Sequence, residues 1–203
     1  MIKKLILPAL ILSVSMANAQ GKKSKSYELT SPEGKNKIQF ELVNNAPKYA
    51  VSHGKTVVIR PSDMGFLLKN NDDLSSNFEI VKVENSSFDE TWTQVWGEKK
   101  KIRNHYNQMV VKLQQKNKEK RQLEIQFRAF DDGIAFRYVY PKQGTKDSIF
   151  IMDEKTTFNL KEDGSAWWIP AFKPERYEYL YTKSPVSTLD TVHTPLTIAS
   201  KSG

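Results

Sequence analysis

Apolar and polar residues alternate along much of this chain, and this period of two limits what it can fold into. Residues 123–129 alternate without a fault, and residues 109–113 nearly do so. Every second side chain of a strand faces the same side, so these runs predict strands with one buried face. Similar runs occur at 38–42, 57–59, 78–83 and 134–138. No stretch makes a convincing helix of three turns.

Turn-forming residues separate these runs. They occupy 31–34, 44–47, 70–73 and 131–133. Asp132 and Gly133 stand between two alternating runs, which is a strong hairpin signal, and Asn117-Lys118 predicts another hairpin. Strands at short, regular spacing predict an all-β fold, an antiparallel β-sandwich.

The N-terminus has the pattern of a secretory signal peptide over residues 1–19. Lys3 and Lys4 precede an apolar stretch at 5–14, and residues 17–19 read Ala-Asn-Ala, a signal-peptidase pattern. The apolar stretch is too short to span a bilayer. We therefore expect an exported protein without a membrane span, with a flexible leader at 20–27 and one domain at 28–203.

Composition narrows the class of protein further. The chain has no cysteine, so a hydrophobic core must stabilise it, and lipid attachment through an N-terminal cysteine is excluded, which favours the periplasm. The net charge is +8, to which Lys3 and Lys4 contribute two. The sequence has no zinc-finger spacing and no RNA-binding signature, so no nucleic-acid partner is expected. A solvated surface, or contact with an anionic cell envelope, explains the basic charge.

No catalytic residue is expected in this chain. Its three histidines, His53, His105 and His193, show no metal-ligand spacing, and neither a phosphate-binding loop nor a nucleophile elbow is present. The adjacent carboxylates of Asp131 and Asp132 fit a hairpin turn better than an acid/base pair.

Aromatic residues are the candidates for binding. Residues 88–98 contain Trp92 and Trp96 and are expected to form a long, ordered loop, and Trp167-Trp168 precedes Ile169-Pro170. These rings could stack on sugars or fill the core, and Trp96 and Trp168 are the candidate substrate-binding residues. Glu178 lies between tyrosines in an alternating segment. It is either a surface carboxylate on an edge strand or one ligand of a hard cation, since one glutamate cannot build a calcium site.

Five segments together resemble the N-terminal domain of glycoside hydrolase family 97. They are residues 88–92, 95–98, 102–107, 127–138 and 168–170. The family comprises exported enzymes of Bacteroidetes-type bacteria that hydrolyse α-glucosides or α-galactosides. The resemblance implies a large β-sandwich (a supersandwich, similar to galactose mutarotase) packed on a catalytic (β/α)8 barrel. It also implies an α-linked oligosaccharide as the substrate.

The resemblance implies a calcium ligand at Glu178, because Glu178-Tyr-Leu-Tyr-Thr182 is similar to the family's motif. The other ligands would be glutamates of the barrel, so calcium is expected only together with that domain. A barrel needs roughly 250 residues, and residues 194–198 look like the entry to another strand. The sequence therefore predicts an N-terminal domain that is incomplete at its C-terminus.

Two other functions compete with this interpretation. A free-standing, non-catalytic carbohydrate-binding module would need an exposed aromatic platform that works without a partner domain. A sugar mutarotase would need a positioned acid and base, which the three scattered histidines do not suggest.

Overall fold

The computed structural model describes residues 25–69, 72–144, 148–174 and 178–200. The strands are β1 (Ser26–Thr30), β2 (Asn36–Val43), β3 (Ala46–His53), β4 (Thr56–Asp63), β5 (Phe66–Leu68), β6 (Asp72–Leu74), β7 (Phe78–Thr93), β8 (Lys101–Gln115), β9 (Gln122–Phe130), β10 (Gly133–Val139), β11 (Ile151–Glu154), β12 (Ser165–Trp168), β13 (Thr182–Pro185) and β14 (Thr197–Ala199). A 3-10 helix at Val186–Thr188 interrupts them, and the described residues contain no α-helix. The all-β prediction is confirmed.

Two four-stranded antiparallel sheets form the body of the fold. Their strand orders are β1-β2-β3-β4 and β10-β9-β8-β7, so each sheet is a meander of consecutive hairpins. Two three-stranded sheets, β11-β5-β6 and β13-β12-β14, complete the structure. The strands predicted from alternation all belong to the two larger sheets.

The alternating residues form the core between the larger sheets. Phe40 of β2 meets Phe127 of β9 with ring centroids 5.8 Å apart, and Tyr49 meets Phe136 at 5.3 Å. Phe40 and Phe127 are fully buried. A buried phenylalanine contributes about 1.5–3 kcal/mol relative to an exposed one. This contact between sheets stabilises a chain that has no disulfide.

The predicted turn at Asp131-Asp132 is confirmed, and it joins β9 to β10. The buried side chain of Asn36 links it to the other sheet, because the Asn36 amide donates to the carbonyls of Phe130 (2.8 Å) and Asp131 (3.1 Å). The Asp131 carboxylate accepts the Glu33 N–H at 2.8 Å. Burial acts to raise the pKa of Asp131, but hydrogen bonds from the Ser31 side chain and the Glu33 N–H hold that pKa below its usual value.

Four local expectations need correction. The predicted turn at 70–73 is wrong at Asp72 and Asp73, which belong to strand β6. The predicted turn at 44–47 contains only Asn44 and Asn45, which both have positive φ, and Pro47 already pairs with Leu42 in β3. Strand β1 begins at Ser26, inside the segment expected to be a leader. The expected loop at 88–98 is mostly strand, because β7 continues to Thr93.

Parts of the predicted segments lie outside the described residues. They include the predicted signal peptide at 1–19, most of the leader at 20–27, and two residues of the predicted turn at 70–73. None of the described residues forms a helix long and apolar enough to cross a membrane.

Candidate functional site

The segment between β12 and β13, residues 169–181, carries two kinds of exposed group and is the candidate site. Trp168, the last residue of β12, pairs with Thr182, the first residue of β13. The chain therefore leaves the small sheet and returns to it at the same end of these two strands. Within this segment, which we call the β12–β13 connection, residues 169–174 and 178–181 are described.

Hydrogen bonds of the backbone hold the beginning of the connection. Ile169 is 5% exposed, and its carbonyl accepts the N–H of His193 at 2.9 Å. The Ala171 N–H donates to the Thr191 carbonyl at 3.1 Å. The chain after Trp168 is thus attached to the segment that precedes β14, and the residues beyond Ala171 start from a fixed position.

Phe172 is exposed and lies in an unfavourable backbone conformation. Its φ is +56° and its side chain is 93% exposed. A bulky residue rarely adopts positive φ, because its Cβ crowds the following carbonyl. Such conformations concentrate at functional sites. The ring of Phe172 gains no burial within the described chain that would offset this strain.

Glu178 lies in the second half of the same connection. It is exposed and precedes β13 in irregular backbone, so the expectation of an alternating edge strand at this position is wrong. Leu180 is 93% exposed and Tyr181 is 63% exposed. Among the described residues, Glu178 has no hydrogen-bond or ion-pair partner. The connection therefore combines an exposed carboxylate with exposed apolar side chains.

The described residues bring no cluster of acidic or histidine side chains together. Across 25–69, 72–144, 148–174 and 178–200, no group of three or more His, Asp or Glu side chains is close enough to hold a metal. A calcium ion takes six to eight oxygen ligands, and the Glu178 carboxylate has two. Glu178 fits calcium as one ligand of a site completed by oxygens from elsewhere.

Trp168 is held in place by the small sheet. It is half-buried, and its indole N–H donates to the Ser184 hydroxyl at 3.0 Å. The Ser184 hydroxyl in turn donates to the Pro185 carbonyl at 3.2 Å. Since the polar atom of Trp168 is already used, only the ring of this residue remains for contact with a ligand.

Trp96 belongs to a different element from Trp168 and Glu178. It lies in the turn between β7 and β8 and is 88% exposed, beside Val95, which is 99% exposed. The Gln94 N–H closes this turn by donating to the Lys100 carbonyl at 3.1 Å. The structure thus places Trp168 directly before the connection that carries Glu178, and Trp96 at the end of a hairpin.

Sequence reasoning missed Phe172 and Leu180 at the site. No periodic pattern marks them, since the segment follows Ile169-Pro170 and is not a strand. Their exposure depends on the path of the backbone, which the local sequence does not specify. A positive φ is foreseeable from sequence mainly at glycine and asparagine, not at phenylalanine.

The fold and the connection define a class: a β-sandwich domain that presents a carboxylate and apolar side chains outside its own core. The sequence profile described as Glycosyl-hydrolase 97 N-terminal matches residues 29–203. The chain belongs to this family. The resemblance seen in the sequence is confirmed.

Known relatives agree with this assignment. The chain is 27% identical over 122 residues to a retaining alpha-galactosidase of Bacteroides thetaiotaomicron, a match that covers 60% of this chain and 17% of that protein. It is 25% identical over 155 residues to a probable retaining alpha-galactosidase of Streptomyces bingchenggensis, covering 76% and 23%.

A solved structure shows the same fold. A glycoside hydrolase family 97 enzyme from Pseudoalteromonas sp. strain K8, in complex with panose, superposes with a TM-score of 0.83 and 34% identity. The match covers 87% of this chain and 27% of that one. This chain therefore spans less than a third of the length of these relatives.

Proposed function

We propose that this chain is the non-catalytic N-terminal domain of an exported α-glycoside hydrolase. In this proposal the β12–β13 connection forms one wall of the active site, and Glu178 donates one calcium ligand. The observation that carries the proposal is the exposed carboxylate of Glu178, which has no partner among the described residues, in one connection with Phe172, Leu180 and Tyr181. The catalytic carboxylates would belong to a (β/α)8 barrel, and the substrate would be an α-linked oligosaccharide.

The exposed apolar side chains support a partner domain. Phe172 and Leu180 are each 93% exposed, and exposed apolar residues clustered on one segment are typical of interaction sites. Burial of these side chains against a barrel would also offset the strain at Phe172.

The chemistry of glycoside hydrolysis fits a division between two domains. The reaction needs two carboxyl groups held at a defined separation across the scissile bond. The adjacent Asp131 and Asp132 are confined to a hairpin turn. Glu178, in contrast, can complete a set of oxygen ligands supplied mainly by another domain. A calcium ion bound there would supply positive charge and fix the positions of its ligands.

The two tryptophans are proposed to shape the sugar pocket. Trp168 can contribute only its ring, because Ser184 accepts its indole N–H. Trp96 is 88% exposed at the end of a hairpin, where its whole indole is accessible. Aromatic rings provide an apolar face and, in tryptophan, one donor. Substitution of either residue by alanine in an assembled enzyme is expected to weaken sugar affinity without loss of the fold.

Export is proposed from residues 1–19. Their basic start, apolar stretch and Ala-Asn-Ala end form a complete signal-peptide pattern. The periplasm is the proposed location, because the chain offers no cysteine for lipid attachment.

The first experiment is an intact-mass measurement of the native protein, detected with an antibody against residues 28–181. A species several times heavier than 23.3 kDa is expected, because the domain would be part of a full glycosidase. A stable species near the mass of the mature chain would overturn the proposal. Sugar binding by the domain alone would then become the relevant assay.

Calcium titration then tests Glu178 in that full-length enzyme. Glu178→Gln removes a charged oxygen ligand, and we expect calcium affinity, measured by calorimetry, to fall about tenfold or more. Glu119→Gln, in the exposed turn between β8 and β9, is the matched control and should leave the affinity unchanged. Equal affinities for wild type and Glu178→Gln would show that Glu178 is not a ligand.

A further inference from the structure

The hairpin of β7 and β8 extends beyond the sheet to which it belongs. All of β8 from Lys101 to Gln115 pairs with β7, but β9 pairs with β8 only along residues 107–114. Residues 88–93 and 101–106 therefore form a two-stranded ribbon. In this ribbon, residues 88–93 of β7 are exposed on both faces.

One face of this ribbon carries aromatic and amide side chains. Phe88 is paired with Tyr106 and Trp92 with Ile102, with Asn104 between them on β8. Because side chains alternate along a strand, these residues share a face. Phe88 is 39% exposed and Trp92 is 46% exposed, and four residues of strand separate them by about 13 Å. The face thus has two exposed aromatic rings with polar groups between them.

The sheet below fixes one of these rings. Phe88 stacks on Tyr106 with ring centroids 5.3 Å apart, and Tyr106 contacts Phe130 at 5.1 Å. The Arg128 guanidinium lies 4.4 Å from the centroid of Tyr106, and Arg128 also donates to Gln108 at 2.9 Å. A ligand on this face would therefore meet a largely preformed surface, which lowers the entropic cost of binding.

A cleft of about 680 Å³ opens beside the ribbon. Trp92, Asn104 and His105 line it from the ribbon, and Asp131 and Asp132 line it from the β9–β10 turn. Its volume is within the range of small-molecule sites, about 300–1,000 Å³. It offers one large apolar ring together with amide, imidazole and carboxylate groups that can bond hydroxyls.

The charges around the cleft disfavour an anionic ligand. Lys35 is paired with Glu33 at 2.6 Å, and Arg103 makes two hydrogen bonds to Asp89, at 2.8 and 2.7 Å. These two cations at the cleft are therefore already neutralised, and an anionic ligand would have to displace a carboxylate. The described residues also form no metal-binding group here.

We propose that this face and cleft, the Trp92 cleft, bind a neutral oligosaccharide, with the Trp92 ring stacked on a sugar and Asn104 and Asp132 bonded to its hydroxyls. The choice of a saccharide over other neutral polar ligands rests on the proposed function. The site itself needs no group from the catalytic domain. It differs from the β12–β13 connection in every residue that forms it.

The test is a titration of the isotopically labelled chain with maltotriose and, separately, with melibiose, followed by NMR. The indole N–H signal of Trp92, assigned with Trp92→Phe, should shift and saturate at millimolar sugar. Trp92→Ala should lower the affinity about tenfold or more, and Trp92→Phe should lower it less because a ring remains. Asn104→Ala should weaken binding about fivefold through one lost hydrogen bond.

The matched control is Phe150→Ala. Phe150 is also an exposed aromatic residue, at 65%, but lies before β11 and outside the cleft, so its loss should not change the affinity. Circular dichroism of each variant tests its folding, and Asn104→Ala tests the site even if Trp92→Ala does not fold.

Two results would overturn the proposal. One is the absence of saturable binding of either sugar by the folded wild-type chain, and the other is unchanged binding by folded Trp92→Ala or Asn104→Ala. Neither result would affect the intact-mass and calcium experiments, so a failure of this inference is distinguishable from a failure of the proposed function.

Discussion

The interior of the sandwich and the β12–β13 connection use the same residue types in opposite ways. Phe127 is fully buried between the sheets, whereas Phe172 is 93% exposed at positive φ. In the first region the aromatic ring stabilises the fold of this chain. In the second the ring is almost fully exposed among the described residues, and its backbone has an unfavourable conformation. The difference indicates that the connection is shaped for contact with something outside the sandwich.

The largest loss of stability is expected for Phe127→Ala, which tests the role of the sandwich interior. Removing a fully buried ring from the contact between sheets should lower the free energy of unfolding by about 3–5 kcal/mol. Urea denaturation followed by circular dichroism measures it. Phe150→Ala, at an exposed phenylalanine, is the control and should change stability by less than about 0.5 kcal/mol. Similar losses in both variants would mean that burial does not determine how much an aromatic ring stabilises this fold.

A smaller loss is expected for Asn36→Ala. This substitution removes the amide that donates to the carbonyls of Phe130 and Asp131, together with the Oδ1 that contacts the His53 ring at 2.7 Å. The expected cost is about 1–3 kcal/mol in the same assay. Asn85→Ala, at an exposed position of β7, should have almost no effect. An unchanged stability of Asn36→Ala would show that this link between the sheets is not needed.

Phe172→Gly should raise stability, in contrast to the first two substitutions. Glycine adopts positive φ without the clash that phenylalanine has, and the exposed ring loses no packing. Relief of strain outweighs the greater freedom of glycine in the unfolded chain, so we expect a gain of up to about 1 kcal/mol. Thermal unfolding is the measurement, with Leu180→Gly as an exposed control. A clear loss of stability in Phe172→Gly would show that the ring packs within this chain.

The smallest expected effect is on the pH dependence of stability, and it concerns Asp73 in strand β6. Asp73 accepts hydrogen bonds from the Ser75 N–H at 2.6 Å and from the Ser75 and Ser76 hydroxyls. Burial acts to raise the pKa of Asp73, but these hydrogen bonds outweigh it and hold the pKa below its usual value. The lowered pKa stabilises the fold above the unfolded-state pKa of about 3.9, and this contribution is lost as pH falls through the folded-state pKa.

Asp73→Asn should therefore lower stability at neutral pH and reduce the loss of stability below about pH 4. Urea midpoints measured from pH 3 to 7 would show it. Asp190→Asn, at an exposed carboxylate after the 3-10 helix, is the control. Parallel pH profiles for wild type and Asp73→Asn would show that the lowered pKa of Asp73 does not contribute to stability.

Much of the sandwich could be predicted from sequence because one face of its strands is buried. Strand β9 alternates without a fault, and its odd-numbered residues from Leu123 to Ala129 are all buried. Strand β3 escaped prediction because Pro47 resembles a turn residue, although the backbone of β3 accommodates it. Residues 88–93 were assigned to a loop because both faces of the ribbon are accessible, so no alternation distinguishes them.

Much less of the candidate site could be predicted from the sequence. Glu178 was singled out through the family resemblance, and its role as a calcium ligand stays a prediction. Its sequence context predicted an edge strand, but the backbone before Thr182 is irregular. Alternation reports which residues are buried in this chain. It carries no information on side chains that lie outside the core.

The order of the strands has a consequence for how the chain folds. Every pairing within the two large sheets joins neighbours in sequence, β1 to β4 in one and β7 to β10 in the other. Each sheet can therefore form by closing short loops, which is fast. Neither sheet alone covers the apolar face that carries Phe40 or Phe127, so it gains most of its stability only when the two dock. We expect docking to limit the folding rate, with the amides of both sheets becoming protected from hydrogen exchange together.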